Sequence, residues 1–300
     1  MQQPGYFAED VLPLLASLPT WPQPSRKGAT RDAEWILWVK MRMWNRLKAQ
    51  FTGIIESDFK EQGLEEEDLA WIAGGLVDAG SATSTANFHN IVLYLAACPD
   101  VQATAAKEIA AVVGDDRAPA MSDVSPLPYV WACIEVLHRN TMPPWAIRHF
   151  TDADVTHKGF VSPKCPAVVC DTVALQFDEE RYPDSFAFRP ERYLGHTEFA
   201  GDYAAMADAQ PRDHWTFGAG WRVCPGTRPA KSNLALMLAN ILWAFEIRPP
   251  TGAEKGGKGS AIDLSDDAFD MYPLRQARPF KAGFCLRLML QEGLTVEAAF

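Results

Sequence analysis

Phe217-Gly218-Ala219-Gly220-Trp221-Arg222-Val223-Cys224-Pro225-Gly226 is the stretch on which the reading of this 300-residue chain turns. It sets one cysteine in a glycine-rich turn just ahead of an apolar run, 229–245, with helical spacing. Gly220 and Gly226 permit backbone geometry and close approaches that a side chain would block. Pro225 suits a helix start, where a missing N–H costs nothing. Unpaired N–H groups at the start of a helix, together with the nearby Arg222, favour the thiolate form of Cys224. A thiolate aimed outward from such a turn is a soft metal ligand.

Outward from this turn the chain divides by texture. Upstream, 32–56, 64–97, 101–113 and 129–140 carry apolar residues at helical spacing. Acids Glu65, Glu66, Glu67 and Asp68 crowd the start of the second, where the helix dipole favours them, and Pro99 marks its end. Residues 147–170 alternate short Val/Phe runs with Asp, Gly and Pro and predict small strands and turns. Residues 176–215 are aperiodic and rich in Pro, Asp and Arg, which predicts a long irregular segment. Gly252–Gly259 predicts a flexible loop, and 282–290 a closing strand. The fold class expected is mainly α with small β-sheets (α+β), without the strand–helix alternation of a doubly wound fold.

Composition narrows the functions. With 28 Lys+Arg against 38 Asp+Glu the formal charge is −10, which argues against nucleic acid as a partner. Hydrophobic residues at 48% and charged residues at 22% describe an ordinary globular chain. Cys98, Cys133, Cys165, Cys170, Cys224 and Cys285 form no CxxC pair and read, Cys224 apart, as reduced and mostly buried thiols. Residues 1–10 lack a signal-peptide pattern, and the apolar stretches 72–97 and 234–245 read as buried helices, not membrane spans.

The complete pattern Phe-x-x-Gly-x-Arg-x-Cys-x-Gly over 217–226 resembles the cytochrome P450 family of haem-thiolate monooxygenases. The resemblance implies haem as cofactor, with Cys224 its axial metal ligand, Phe217, Gly220 and Gly226 against it, and Arg222 near a propionate. Phe188-Arg189-Pro190-Glu191-Arg192-Tyr193 is similar to the family's Pro-Glu-Arg-Phe segment. Glu135-Val136-Leu137-His138 is similar to its Glu-x-x-Arg, with histidine at the arginine position and Arg139 next to it. The family's structural lock would then consist of Glu135, Arg139 and Arg192. Ala79-Gly80-Ser81-Ala82-Thr83-Ser84 resembles the oxygen-activating stretch, with Thr83 and Ser84 at the catalytic positions and Ala82 replacing the acid. His149, in Pro144-Trp145-Ala146-Ile147-Arg148-His149, is the expected second propionate contact. Ser162-Pro163-Lys164-Cys165 is similar to a turn with glycine at its fourth position, where Cys165 would meet strain if φ is positive.

The likeness implies one partial cytochrome P450 domain over 1–300, N-terminally truncated, similar to fungal members that tailor secondary metabolites. Its implied reaction inserts one oxygen atom from O₂ into an apolar small-molecule substrate, using an NADPH-dependent reductase. Complete members sit on the endoplasmic reticulum membrane, but this sequence shows no anchor. His138, Ala82, Cys165 and the short length keep two alternatives open: a catalytically inactive remnant, or a haem protein doing peroxide-driven or rearrangement chemistry. A helical binding module in which Cys224 is incidental is a further alternative.

Overall fold

A computed structural model describes residues 63–141, 148–196, 215–250, 262–271 and 274–287, the backbone of 295–299, and parts of 36–45 and 202–214. The expected loop at 252–259 and most of the expected helix at 32–56 lie outside the described residues. Two compact units form, residues 1–82 and 83–300.

In the first unit the described residues between 36 and 45 are helical, as their apolar spacing predicts. Trp44, Leu69 and Ala70 make a small buried cluster, and the Lys40 ammonium lies 4.2 Å from the centre of the Trp71 ring. Helix α1, Glu66–Ala97, begins here with Glu66, Glu67 and Asp68 in its first turn. The Glu65 N–H donates to the Asp68 carboxylate (3.0 Å), closing that end.

In the second unit α1 continues into a run, Ile91 to Ala96, that is buried on every side, the burial expected of a helix apolar all round. Helices α2 (Pro99–Val113), α3 (Met121–Val124), α4 (Pro128–Asn140), α5 (Thr172–Gln176) and α6 (Thr227–Ala244) follow. Pro99 does not merely end α1. It is the first residue of α2, as Pro128 is of α4, because a first-turn N–H has no intrahelical partner to lose. Leu137, Ile134 and Val130 of α4 meet Leu234, Leu238 and Leu242 of α6 and Ile109 of α2 in one continuous core. Burying each such side chain contributes about 1.5–3 kcal/mol.

Among the described residues, four small antiparallel sheets accompany this core. β1 (His149–Phe150) pairs with β4 (Ala167–Val168), and β2 (Val155–His157) with β3 (Phe160–Ser162). β5 (Phe245–Arg248), β8 (Lys281–Leu286) and β9 (Thr295–Ala299) form a three-stranded sheet with β8 in the middle. β6 (Phe269–Asp270) pairs with β7 (Gln276–Ala277). Buried amides fasten sheets to helices. Gln102 exchanges hydrogen bonds with the Ile247 backbone (2.6 and 2.8 Å), and Asn90 accepts from the Ala277 N–H (2.7 Å).

The expected α+β class holds. The closing strand is shorter than expected, ending at Leu286, and is not the last. Helix α5 interrupts the start of the irregular segment because Asp171 caps it, accepting from the Ala174 N–H (2.9 Å). Cys165 adopts φ +69°, the left-handed geometry expected to strain a side chain there.

Candidate functional site

The segment around Cys224 is shaped by its own backbone. Gly218 and Gly220 take φ +74° and +66°, which only glycine adopts freely. These two turns fold the chain back so that the Cys224 N–H donates to the Phe217 carbonyl (2.9 Å), and the Val223 N–H to that of Gly220 (3.0 Å). A single 3₁₀ turn, Gly220–Arg222, lies between. On the far side Thr227 begins α6 and its hydroxyl donates to the Cys224 carbonyl (2.7 Å). The cysteine is thus held by its backbone on both sides while its side chain stays exposed.

Gly226 serves a different purpose from Gly220. Its φ is −82°, open to any residue, so backbone freedom is not the reason for it. A Cβ there would sit 3.6 Å from the Cys224 sulfur and cover one flank of it. The bare glycine keeps that flank of the thiol open, as an iron ligand requires. A soft sulfur donor, exposed and uncovered, with exposed Arg222 two residues away, fits a haem iron and the propionate beside it.

Glu135 is buried beneath this segment. One carboxylate oxygen pairs with the Lys231 ammonium, and the other lies 3.1 Å from His214 Nε2. The Thr216 N–H donates to His214 Nδ1 (3.3 Å), so Nε2 carries the proton and donates to Glu135. Burial works to raise the Glu135 carboxyl, but the His214 hydrogen bond and the Lys231 charge outweigh it and hold the group at about 2. His138 is pushed well below its ordinary value, first by burial and then by the adjoining His214 ring and the Lys231 ammonium, so it is neutral. Its ring stands edge-on to Phe217, centroids 4.9 Å apart. The carboxylate of Glu135 and the nitrogens of His138 and His214 lie within 4.8 Å of one another. With Lys231 already neutralising the carboxylate, a divalent cation would add unbalanced buried charge, so the cluster is an ion-paired network.

This corrects the expected lock. Glu135 pairs with Lys231 and His214, not with Arg139 or Arg192. Arg139, one residue beyond the expected position, is rotated about 100° around α4 and faces elsewhere. Fully buried, it donates to the carbonyls of Gln176 and Ser185 and lies 4.9 Å from the Tyr182 ring centre. Arg192 donates to the Pro183 and Asp184 carbonyls, on its own side of the irregular segment. The segment is thus attached to α4 through Arg139 and, at the other end of that helix, through Glu191, which accepts from the Tyr129 hydroxyl (2.6 Å). Pro190–Tyr193 forms a 3₁₀ turn that presents Glu191 for this bond.

The remaining expected residues are placed as follows. Phe217 is half-buried, its ring 5.5 Å from that of His214. His149 is exposed on β1, opposite Val168. Thr83 and Ser84 are half-buried in α1, and the Asn87 side chain donates to the Thr83 carbonyl (2.9 Å). Sequence reasoning missed Lys231, His214 and Arg212. Arg212 is buried, stacks 3.9 Å above the Trp215 ring centre, and donates to the Gly218 carbonyl (2.6 Å) at the turn that starts the cysteine loop. A histidine in place of the arginine at 138 was the one available signal that Glu135 needed another cation.

Comparison with known proteins agrees with this geometry. The family model described as Cytochrome P450 matches residues 46–258. The cytochrome P450 monooxygenase pgmC of Aspergillus terreus is 41% identical over 285 residues, covering 94% of this chain and 52% of that protein. The cytochrome P450 monooxygenase 231 of Postia placenta is 30% identical over 298 residues, 89% of this chain and 52% of that protein. The chain therefore spans about half the length of the curated relatives it matches. A zebra fish cytochrome P450 structure with abiraterone superposes with a TM-score of 0.62 at 24% identity, covering 75% of this chain and 50% of that one. That likeness speaks for the fold alone. With the family model, the relatives and the glycine-rich cysteine turn in agreement, the chain belongs to the cytochrome P450 family.

Proposed function

We propose that this chain is the haem-thiolate portion of a monooxygenase that inserts one oxygen atom from O₂ into an apolar small molecule in fungal secondary metabolism. The observation that carries it is the exposed Cys224 thiol, fixed by its backbone to Phe217 and Thr227 and left uncovered by Gly226. Haem, when bound, supplies the oxygen chemistry, and a cysteine ligand tunes it toward O–O cleavage. Cys224 would hold the iron, and Phe217 and Gly220 would lie against the ring. Arg222 and His149, both exposed, would meet the propionates. Thr83, with Ser84 beside it, would hold a proton at its hydroxyl and pass it on. Ala82 offers no acid there, so the proton would come through water.

The whole catalyst would draw electrons from an NADPH-dependent reductase and work at the endoplasmic reticulum surface. Among the described residues no helix is long and apolar enough to cross a membrane. The relatives named as monooxygenases support this reading, in which residues 1–300 would make up one partial domain of the whole protein. The missing acid at Ala82 favours one alternative, peroxide-driven or rearrangement chemistry, which needs less proton delivery. An inactive remnant is the other.

The test is the reduced, carbon-monoxide-bound spectrum of the purified chain with haem added. A red-shifted Soret band typical of thiolate ligation, lost in Cys224→Ala, supports the reading. Folded protein without that band overturns it. Product formation with reductase and O₂, but not with peroxide alone, separates the monooxygenase from the alternative chemistry.

A further inference from the structure

Glu135 touches both ends of the segment that carries Cys224. His214 lies ahead of the cysteine turn, and Lys231 lies in the second turn of α6, behind it. One carboxylate takes a bond from each, so residues 214–231 form a loop closed by a single buried side chain of α4. All three side chains are nearly inaccessible, 1% for His214, 5% for Lys231 and 9% for Glu135, so water cannot substitute for any of them.

From both ends of the loop, bonds run on toward the sulfur. Thr216, next to the His214 contact, donates through its hydroxyl to the His138 carbonyl (2.7 Å), and Phe217 beside it accepts from the Cys224 N–H. Behind the cysteine, the Ala230 N–H donates to the Gly226 carbonyl (2.9 Å) and Thr227 to the Cys224 carbonyl. We propose that His214 and Lys231 are positioning residues that, through Glu135, clasp the Cys224 loop and fix where its sulfur points. The positive partner of Glu135 thus sits on the helix that follows Cys224, not four residues along α4 at Arg139 as in the expected lock. That the sulfur needs fixing rests on the reading of Cys224 as an iron ligand; the clasp itself does not.

Hydrogen exchange on the full chain, without haem, tests the clasp. The Cys224 N–H, bonded to Phe217, reports on the loop. The Cys165 N–H, bonded to the Thr151 carbonyl (2.9 Å) in another part of the chain, is the internal control. Lys231→Met is expected to speed exchange at Cys224 at least tenfold and leave Cys165 unchanged, while Lys231→Arg keeps exchange near the parent rate. Equal acceleration at both amides, or the parent rate at Cys224 in a folded Lys231→Met chain, would overturn the proposal. If that variant does not fold, Glu135→Leu/Lys231→Met replaces it, because removing both charges leaves neither buried and unpaired. There too, acceleration confined to Cys224 supports the clasp and the parent rate overturns it. A chain that passes this test yet takes up no haem would sink the proposed function and leave the clasp standing.

Discussion

Residues 214–231 and residues 79–84 each carry part of the expected chemistry, and the folded chain treats them differently. Around the first, charge is buried and paired: Glu135 of α4 with Lys231 and His214, and Arg212, just ahead of the region, with Trp215 and the Gly218 carbonyl. In the second, Ala79 to Ala82 are exposed, and Thr83 and Ser84 are half-buried. A buried polar group must find partners or cost several kcal/mol, so the cysteine segment tolerates few arrangements. A stretch of small residues on an exposed helix carries no such obligation. Its conformation follows from helix propensity, and its chemistry waits on what lies against it.

The sharpest way to break this comparison is Cys224→Ala. It is expected to abolish the thiolate Soret band entirely and leave the far-ultraviolet dichroism unchanged. Next in size is the buried pair. Glu135→Gln or Lys231→Met should each cost about 3–5 kcal/mol in denaturant unfolding, while Glu135→Leu/Lys231→Met should cost less than either. If the double variant costs the sum of the singles, the two groups are independent and the clasp is an illusion of proximity.

Acid should act on the same side of the molecule. Glu135 titrates at about 2 when folded and near 4.5 when unfolded, so its contribution is present above 4.5 and lost as pH falls toward 2. His138 acts in an earlier window. Its folded value lies well below 6.5, so below that pH the unfolded chain binds a proton that the folded chain refuses, and stability falls with pH. Melting temperature measured from pH 8 to 3 should decline from about 6.5 downward, and His138→Phe should delay the onset.

Two smaller effects sharpen the contrast. Cys165→Gly should stabilise the chain by about 0.5–1 kcal/mol, because the left-handed backbone costs cysteine more than glycine's extra freedom costs on folding. Thr83→Ala should change unfolding free energy by less than about 1 kcal/mol, since Thr83 is only half-buried and its backbone carbonyl keeps the Asn87 bond. It should leave the thiolate band intact and lower product formed per electron consumed. A large loss of stability at Thr83 would show the 79–84 stretch to be as tightly specified as the cysteine segment.

Much of this architecture was legible beforehand. The periodicity of 64–97 and 129–140, the proline at 99 and the glycines around Cys224 are local signals, and the folded chain follows them to within a few residues. Helices α3 and α5 and strands β5, β6, β7 and β9 leave no such signal. Each is five residues or fewer, too short for a period to show. The strain at Cys165 was legible, because a turn's demand for positive φ is a property of four successive residues.

Spacing and residue type alone place Cys224 in a glycine-rich turn ahead of a helix, give the α+β class, and show that the arginine expected three residues after Glu135 is absent. What Glu135 does instead is settled by packing between distant parts of the chain. Its partners come from positions 214 and 231, far along the chain, and no local pattern distinguishes a buried lysine from a surface one. Arg139 bonds to carbonyls of the irregular segment for the same reason: where burial leaves a carbonyl unpaired is settled by packing, and the nearest long cation completes it.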